Sequence, residues 1–395
     1  MIEKIKVSYI DSPRFLPPIR SLELKTSIGT VNTPTRMATI YEYRRKMHVP
    51  TIVPIENKIT IGVDVLSEKE TYKLMKENKF VERKIKNIEE WLLRLYGLTE
   101  LMYCIQPARS KKEPLASLAS TTKYEKFTDI VLRIQLSAGL QNLCIPYLRL
   151  PLSMYKELLR NIAKSYSKLR VFLVPIIDMK YENFKSLVSY IIDELEFKAI
   201  GFFYQSPKSV LLNYMFLEKY VEDDVLFFML ETSRFETLVV KDFAVMHYLP
   251  FVFTDLYSVR TYKRIKPSKK RKRKLRFFIS DKLQVKGIYA LTLNEKDRLL
   301  RKIIEELEAK YIDPYDIIIV ETLRNKPEEI LSDENKFIAA YNLSKVHELK
   351  ASTKEFNMLY NAIRKMETIS YVNRKSTLRK VLREYAPKIS KLKTP

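Results

Sequence analysis

With 395 residues the chain can bury a large core and hold one large domain with an appendage, or two domains. It is 46% hydrophobic and 30% charged, and 71 Lys+Arg against 47 Asp+Glu leave a net charge of +24. That balance excludes wholesale disorder and favours a polyanionic partner, with nucleic acid the first candidate and an anionic membrane surface the second.

No apolar run approaches the roughly 20 residues of a membrane span, and the N-terminus lacks an apolar signal core, so a cytoplasmic protein is expected. The two cysteines, Cys104 and Cys144, each lie in an apolar run and read as buried free thiols; they exclude a zinc cluster or disulfide framework. Six glycines in a chain rich in Lys, Glu and Ile suggest a heat-adapted source.

Residues 1–60 read as extended, because Pro13, Pro17, Pro18, Pro34, Pro50 and Pro54 break up any long helix. Ser67 followed by Glu70 is a capping box, and Ile85, Ile88, Leu92 and Leu95 recur at helical spacing behind it. LMYCI (101–105) is a short buried strand, and 109–126 is read as a polar loop with the length of a lid.

Apolar runs follow at 129–136, 171–177, 199–204, 225–230 and 250–254, separated by amphipathic helices such as 153–164, 181–195 and 208–220. Strands buried on both faces read as continuous apolar runs, and this alternation predicts right-handed βαβ units and a parallel sheet. Adding candidate strands at 36–40, 51–55 and 101–105 gives eight. The expected fold class is α/β: a (β/α)8 TIM-barrel-like body with a basic α+β C-terminal extension, an open doubly wound sheet being the second choice.

The expected divisions are a barrel-like domain over 1–262, a basic linker over 263–276 and a mostly helical α+β domain over 277–395. The linker packs ten cations and no acid. Beyond it, FFIS and GIYALTL read as strands, a helix starts at Asn294, IIIV (317–320) reads as a strand, and 333–347, 353–368 and 374–385 as helices.

Asp178, Glu231 and Asp255 directly follow three of the apolar runs. Carboxylates at the C-terminal ends of parallel strands are where α/β folds build sites, and they suit nucleophilic or acid–base work. The same three acids form the expected set for a metal-dependent nuclease, since hard divalent ions take clustered carboxylates. No metal or cofactor is otherwise expected. The three histidines, His48, His247 and His347, have no metal-ligand spacing. Walker A, G-x-G-x-x-G and nucleophile-elbow motifs are absent.

TDLYSVRTYKR (254–264) resembles the segment of tRNA-guanine transglycosylases in which an aspartate precedes an arginine by five residues. LSAGLQ (136–141) is similar to that family's D-S-G-G-F-Q loop, and Asn342, Ile363 and Arg364 match an Asn upstream of an Ile-Arg pair. The resemblance implies a barrel that exchanges a base in tRNA or DNA. Asp255 would then be the nucleophile, Asp178 and Glu231 would orient substrate or act as base, and Ser137, Gln141 and Arg260 would contact substrate. Leu136 stands where the family has its general-base aspartate, and the family's cysteine-rich zinc site is missing. The competing reading is therefore a non-catalytic nucleic-acid-binding or complex-forming protein on a decayed enzyme scaffold.

The strongest nucleic-acid feature is Lys269, Lys270, Arg271, Lys272, Arg273 and Lys274 within the linker. Cations against phosphates release counterions and bind without regard to sequence, and Tyr257, Tyr262, Phe277 and Phe278 flank the run for stacking. A second patch is an amphipathic helix over 374–388, with Arg379, Lys380 and Arg383 on its polar side. A homo-oligomer or protein partner is also compatible with these surfaces.

Overall fold

The computed structural model describes residues 1–14, 16–43, 59–107, 121–148, 150–178, 183–204, 206, 216–259, 275–308 and 314–392. The chain opens with an antiparallel meander of β1 (Ile2–Asp11), β2 (Ile19–Thr26) and β3 (Gly29–Asn32). The next nine strands form one parallel sheet. They are β4 (Thr35–Arg36), β5 (Ala38–Thr39), β6 (Ile59–Leu66), β7 (Glu100–Pro107), β8 (Asn142–Ile145), β9 (Phe172–Asp178), β10 (Ala199–Phe203), β11 (Leu226–Thr232) and β12 (Leu256–Val259). Their order is β4-β12-β11-β10-β9-β8-β7-β6-β5. The two end strands are separated in sequence by Met37 alone, so the sheet curls nearly into a closed barrel.

Helices cover the sheet: α1 (Glu68–Lys76), α2 (Asn78–Leu95), α3 (Thr121–Ser137), α4 (Leu152–Tyr166) and α5 (Phe184–Ser189). Ser67 caps α1 with the expected box, its hydroxyl accepting from the Glu70 N–H while Glu70 reaches back. In α4, Tyr155, Leu158, Leu159 and Ile162 are buried, as helical spacing predicts. Inside the barrel the wall is crowded: a methyl group on Gly201 would lie 2.5 Å from Ile176 and 2.7 Å from Phe228. Only glycine fits there.

Four expected strands are corrected. Residues 129–136 belong to α3, whose run DIVLRIQL cannot be told from a buried strand by hydrophobicity alone. Residues 249–252 form a 3₁₀ turn, and the strand starts only at Leu256. Of GIYALTL (287–293), Gly287 ends the strand Gln284–Gly287, Ile288–Ala290 form a 3₁₀ turn and Leu293 starts a helix. Residues 317–320 lie within helix α7 (Pro314–Asn325). The candidate strand 51–55 lies outside the described residues.

Past the barrel come a hairpin, β13 (Arg276–Ile279) with β14 (Gln284–Gly287), then α6 (Leu293–Glu308), α7, α8 (Pro327–Ser332) and α9 (Glu334–Arg364). Two further helices follow, α10 (Thr368–Arg374) and α11 (Ser376–Leu392). The helices expected at 333–347 and 353–368 are thus mostly one rod.

A second, smaller core gathers Leu275, Phe277, Leu299, Leu300, Ile303, Ile319, Leu323, Ala340 and Leu343. The far half of α9 joins the barrel's core instead through Ala351, Phe356, Leu359 and Ile363. So do Tyr371 and Val372 of α10 and Leu378, Val381 and Leu382 of α11.

Candidate functional site

All strands of the barrel sheet run the same way, so their ends define two rims. Asp178 is the last residue of β9, paired with Phe203, which is in turn paired with Leu230. At about 4.8 Å per strand, the backbones of Asp178 and the β11 end are about 10 Å apart on the C-terminal rim. Asp178 is buried, at the position where sequence reasoning put it.

Glu231 occupies a bulge. Met229 pairs with Tyr257 but Thr232 pairs with Val259, so β11 carries one extra residue there. Glu231 adopts the left-handed φ of 53°, and its N–H donates to the Ser258 hydroxyl at 3.1 Å. A non-glycine residue in that region stores on the order of 1 kcal/mol of strain.

Asp255 is not on that rim, and its expected placement after a strand is corrected. It immediately precedes β12 and exchanges backbone and side-chain hydrogen bonds with Phe227, near the start of β11. That level lies three residues, or about 10 Å, back along the strands from the Leu230 level shared with Asp178.

Asp255 is 1% exposed and accepts from Arg20 through both oxygens, at 3.1 and 2.9 Å. Arg20 on β2 also donates to the carbonyls of Tyr220, Val221, Asp223 and Val225. Burial raises the Asp255 carboxyl above the ordinary carboxylate range, against the pull of Arg20 and the Phe227 N–H. This is a sealed ion pair at the N-terminal end. At the other end of the β1–β2 ladder, Glu100 and Asn142 hold Met1 and Ile2.

Ser137 ends α3 and Gln141 immediately precedes β8, so both also sit toward the N-terminal side, around the turn at Gly139 (φ 85°). Arg260 and Lys269, Lys270, Arg271, Lys272, Arg273 and Lys274 lie outside the described residues. The structure therefore brings Asp178 and Glu231 to one rim and leaves Asp255, Ser137 and Gln141 toward the other. Among the described residues, no three His, Cys, Asp or Glu side chains are grouped to hold a metal.

On α11 the expected amphipathic pattern is realised. Leu378, Val381 and Leu382 are buried, Arg379 is half-buried, and Lys380 and Arg383 are exposed. Exposed Arg364 at the end of α9, Lys365 at its cap and Arg374 at the end of α10 precede them.

Sequence reasoning missed how α9 closes the outside of the β4–β12 seam. Four rings stack in series there: Phe278 on His247 (5.2 Å), His247 on Phe356 (4.8 Å) and Phe356 on Tyr257 (5.3 Å). Phe278 and Tyr257 are thus buried in a stack instead of free for bases. Around it lie buried ion pairs: Arg36 with Glu42 at 2.5 Å, Arg234 with Glu348, Lys345 with Glu348 at 3.7 Å and Lys375 with Glu355 at 2.8 Å.

Burial and the nearby Lys375 and Arg36 hold the His247 imidazole down at about 3, so it is neutral. Burial alone would raise Glu348, but Arg234, Lys345 and Arg36 hold it at about 2. Burial lowers Lys345 to about 8, against Glu348. The signal that could have found this joint is the apolar face of 340–363 at helical spacing combined with charges that no solvated face would need.

No protein-family model matches this chain, and no curated protein matches it significantly. Among the described residues no helix is long and apolar enough to cross a membrane.

Proposed function

We propose that this protein binds nucleic acid through its cationic surface, and that its barrel is a scaffold rather than a transglycosylase centre. Counting 35–39 as one strand interrupted at Met37 makes the barrel a (β/α)8-type closure, with the C-terminal hairpin and helices as its extension. The work of such a protein belongs to the cytoplasm.

The observation that carries the reading is the state of α11. Its apolar stripe is used up in the core, so Lys380 and Arg383 are displayed on an anchored element in a chain of net charge +24. The linker cations at 269–274 add to the same polyanion affinity by sequence. The scaffold reading is supported by Asp255, whose two oxygens are both engaged by Arg20 and which lies at the other end of the barrel from Asp178. An Asp already committed to a buried guanidinium is badly prepared to attack a ribose.

Fluorescence anisotropy with labelled RNA and DNA across a salt series tests this. Binding should fall linearly on log–log axes, and Arg379→Ala/Lys380→Ala/Arg383→Ala should flatten the slope by about 1 for each phosphate no longer neutralised. Neutralising 269–274 should weaken binding further. Salt-independent binding, or affinity unchanged in both variants, would overturn the proposal. A denaturation-resistant nucleic-acid adduct that disappears in Asp255→Asn would restore the transglycosylase reading.

A further inference from the structure

The two cysteines occupy a weak place in the barrel wall. Strands β6 and β7 are joined along eight consecutive residue pairs, whereas β7 and β8 meet only at Tyr103 and Leu143. Past that point the ladder is replaced by side-chain amides. Gln135 of α3 donates to the Cys144 carbonyl at 2.9 Å and accepts from the Cys144 N–H at 2.8 Å. Gln106 accepts from the Tyr147 N–H at 2.9 Å.

Cys104 and Cys144 are the next residues along each strand after the single paired position. Tyr103 faces the outer helices: its hydroxyl meets Asn87 of α2, and its ring packs over Gly62, on the face of β6 from which Asp64 reaches Lys84. Side chains alternate along a strand, so Cys104, and Cys144 beside it, turn to the barrel interior. Both residues are fully buried, and Cys104 is near enough to Cys144 to push its thiol above the ordinary range. Neighbouring strands lie about 4.8 Å apart, inside the range of about 4.4–6.8 Å that disulfide-bonded residues span.

We infer that Cys104 and Cys144 are an oxidisable dithiol that closes into a disulfide across the β7–β8 seam. The oxidant is a low-molecular-weight disulfide that enters when this poorly laddered seam opens locally. The Gln106 amide donates to the Cys104 sulfur at 3.2 Å, so negative charge developing there is solvated and Cys104 is the attacking thiol. Its sulfur displaces one thiolate from the small disulfide, forming a mixed disulfide. Cys144 then attacks the Cys104 sulfur and expels the second thiolate. Two protein S–H groups and one small disulfide become one protein S–S bond and two small thiols, the protons passing to the released thiolates. Cys104 and burial push the Cys144 thiol up, and Cys144 takes the resolving role because the Gln106 amide is on the Cys104 sulfur.

The folded full chain is incubated with excess glutathione disulfide, acid-quenched, denatured and alkylated, and its intact mass and digest are measured. The expected result is loss of both thiols together, a mass lower by two hydrogens with no retained glutathione, and a reductant-sensitive peptide joining 104 to 144. Cys144→Ser should instead retain one glutathione on Cys104. Two alkylatable thiols after long incubation of the wild type would overturn the inference. So would glutathione carried on either cysteine with no joined peptide.

Discussion

Three seams of the barrel wall have at most two paired positions, and different chemistry secures two of them, β4–β12 and β7–β8. At the closure, β4 meets β12 through two residue pairs, and α9 lies over the gap with a four-ring stack and buried ion pairs. At β7–β8 a single pair remains, and the amides of Gln135 and Gln106 stand in for the missing backbone partners. The first seam is held by a large apolar area and by charge, the second by a few directional hydrogen bonds. The first should therefore be stronger at neutral pH and more sensitive to acid; the second should respond to loss of one amide and hardly to pH.

The largest expected effect lies at the closure. His247 must stay neutral in the folded protein, with its titration lowered from 6.5 to about 3, so the unfolded chain takes up the proton first. The stability this group contributes is fully present above pH 6.5 and is lost as pH falls toward 3, amounting to about 5 kcal/mol. Between pH 6.5 and 4.5 His247 removes stability as pH falls, while Asp255, raised by burial, acts in the opposite direction. Below 4.5 Glu348, held at about 2, adds a loss of its own with the same sign as that of His247. His247→Phe keeps a ring in the stack without a titrating group, so urea melts from pH 7 to 4.5 should be flatter than wild type. An unchanged slope would remove this histidine from the account.

At the second seam, Gln135→Leu leaves the buried N–H and C=O of Cys144 without their partners. It should cost about 2–4 kcal/mol at all pH values, read as a drop in Tm. A variant as stable as wild type would show that the ladder re-forms and the seam is not weak.

The smallest effect belongs to the β11–β12 bulge, which sits between these extremes. Glu231→Gly relieves the left-handed backbone there and should stabilise by about 0.5–1 kcal/mol, seen as a small rise in Tm. If it destabilises instead, the bulge is held by the Glu231 side chain and not by its backbone.

How much of this is legible in the sequence differs between the same regions. Apolar runs 171–177, 199–204 and 225–230 read directly as strands because each is buried on both faces and is bounded by polar turns. ITIGVDVL and NLCI escape such a reading: the first carries Gly62 and Asp64 and so interrupts its apolar run, and the second is four residues long. DIVLRIQL misleads because its apolar residues draw attention from Asp129 and Arg133, an exposed i,i+4 pair that marks a helix face.

The positions of Asp178 and Glu231 follow from their runs, but that of Asp255 does not. PFVFT looks like a strand, yet Leu249–Val252 form a 3₁₀ turn and Phe253 turns left-handed, which moves the strand six residues on and the acid to its other end. Partners such as Arg20, 235 residues away, leave no local mark that a sequence pattern can register.

The 31-residue α9 is a rod of about 46 Å whose two halves are rooted in different cores. A push on the small hairpin unit therefore cannot be absorbed by a loop. It is delivered as tilt or translation to the staves where the barrel closes, so whatever grips the extension also has leverage on the mouth of the barrel.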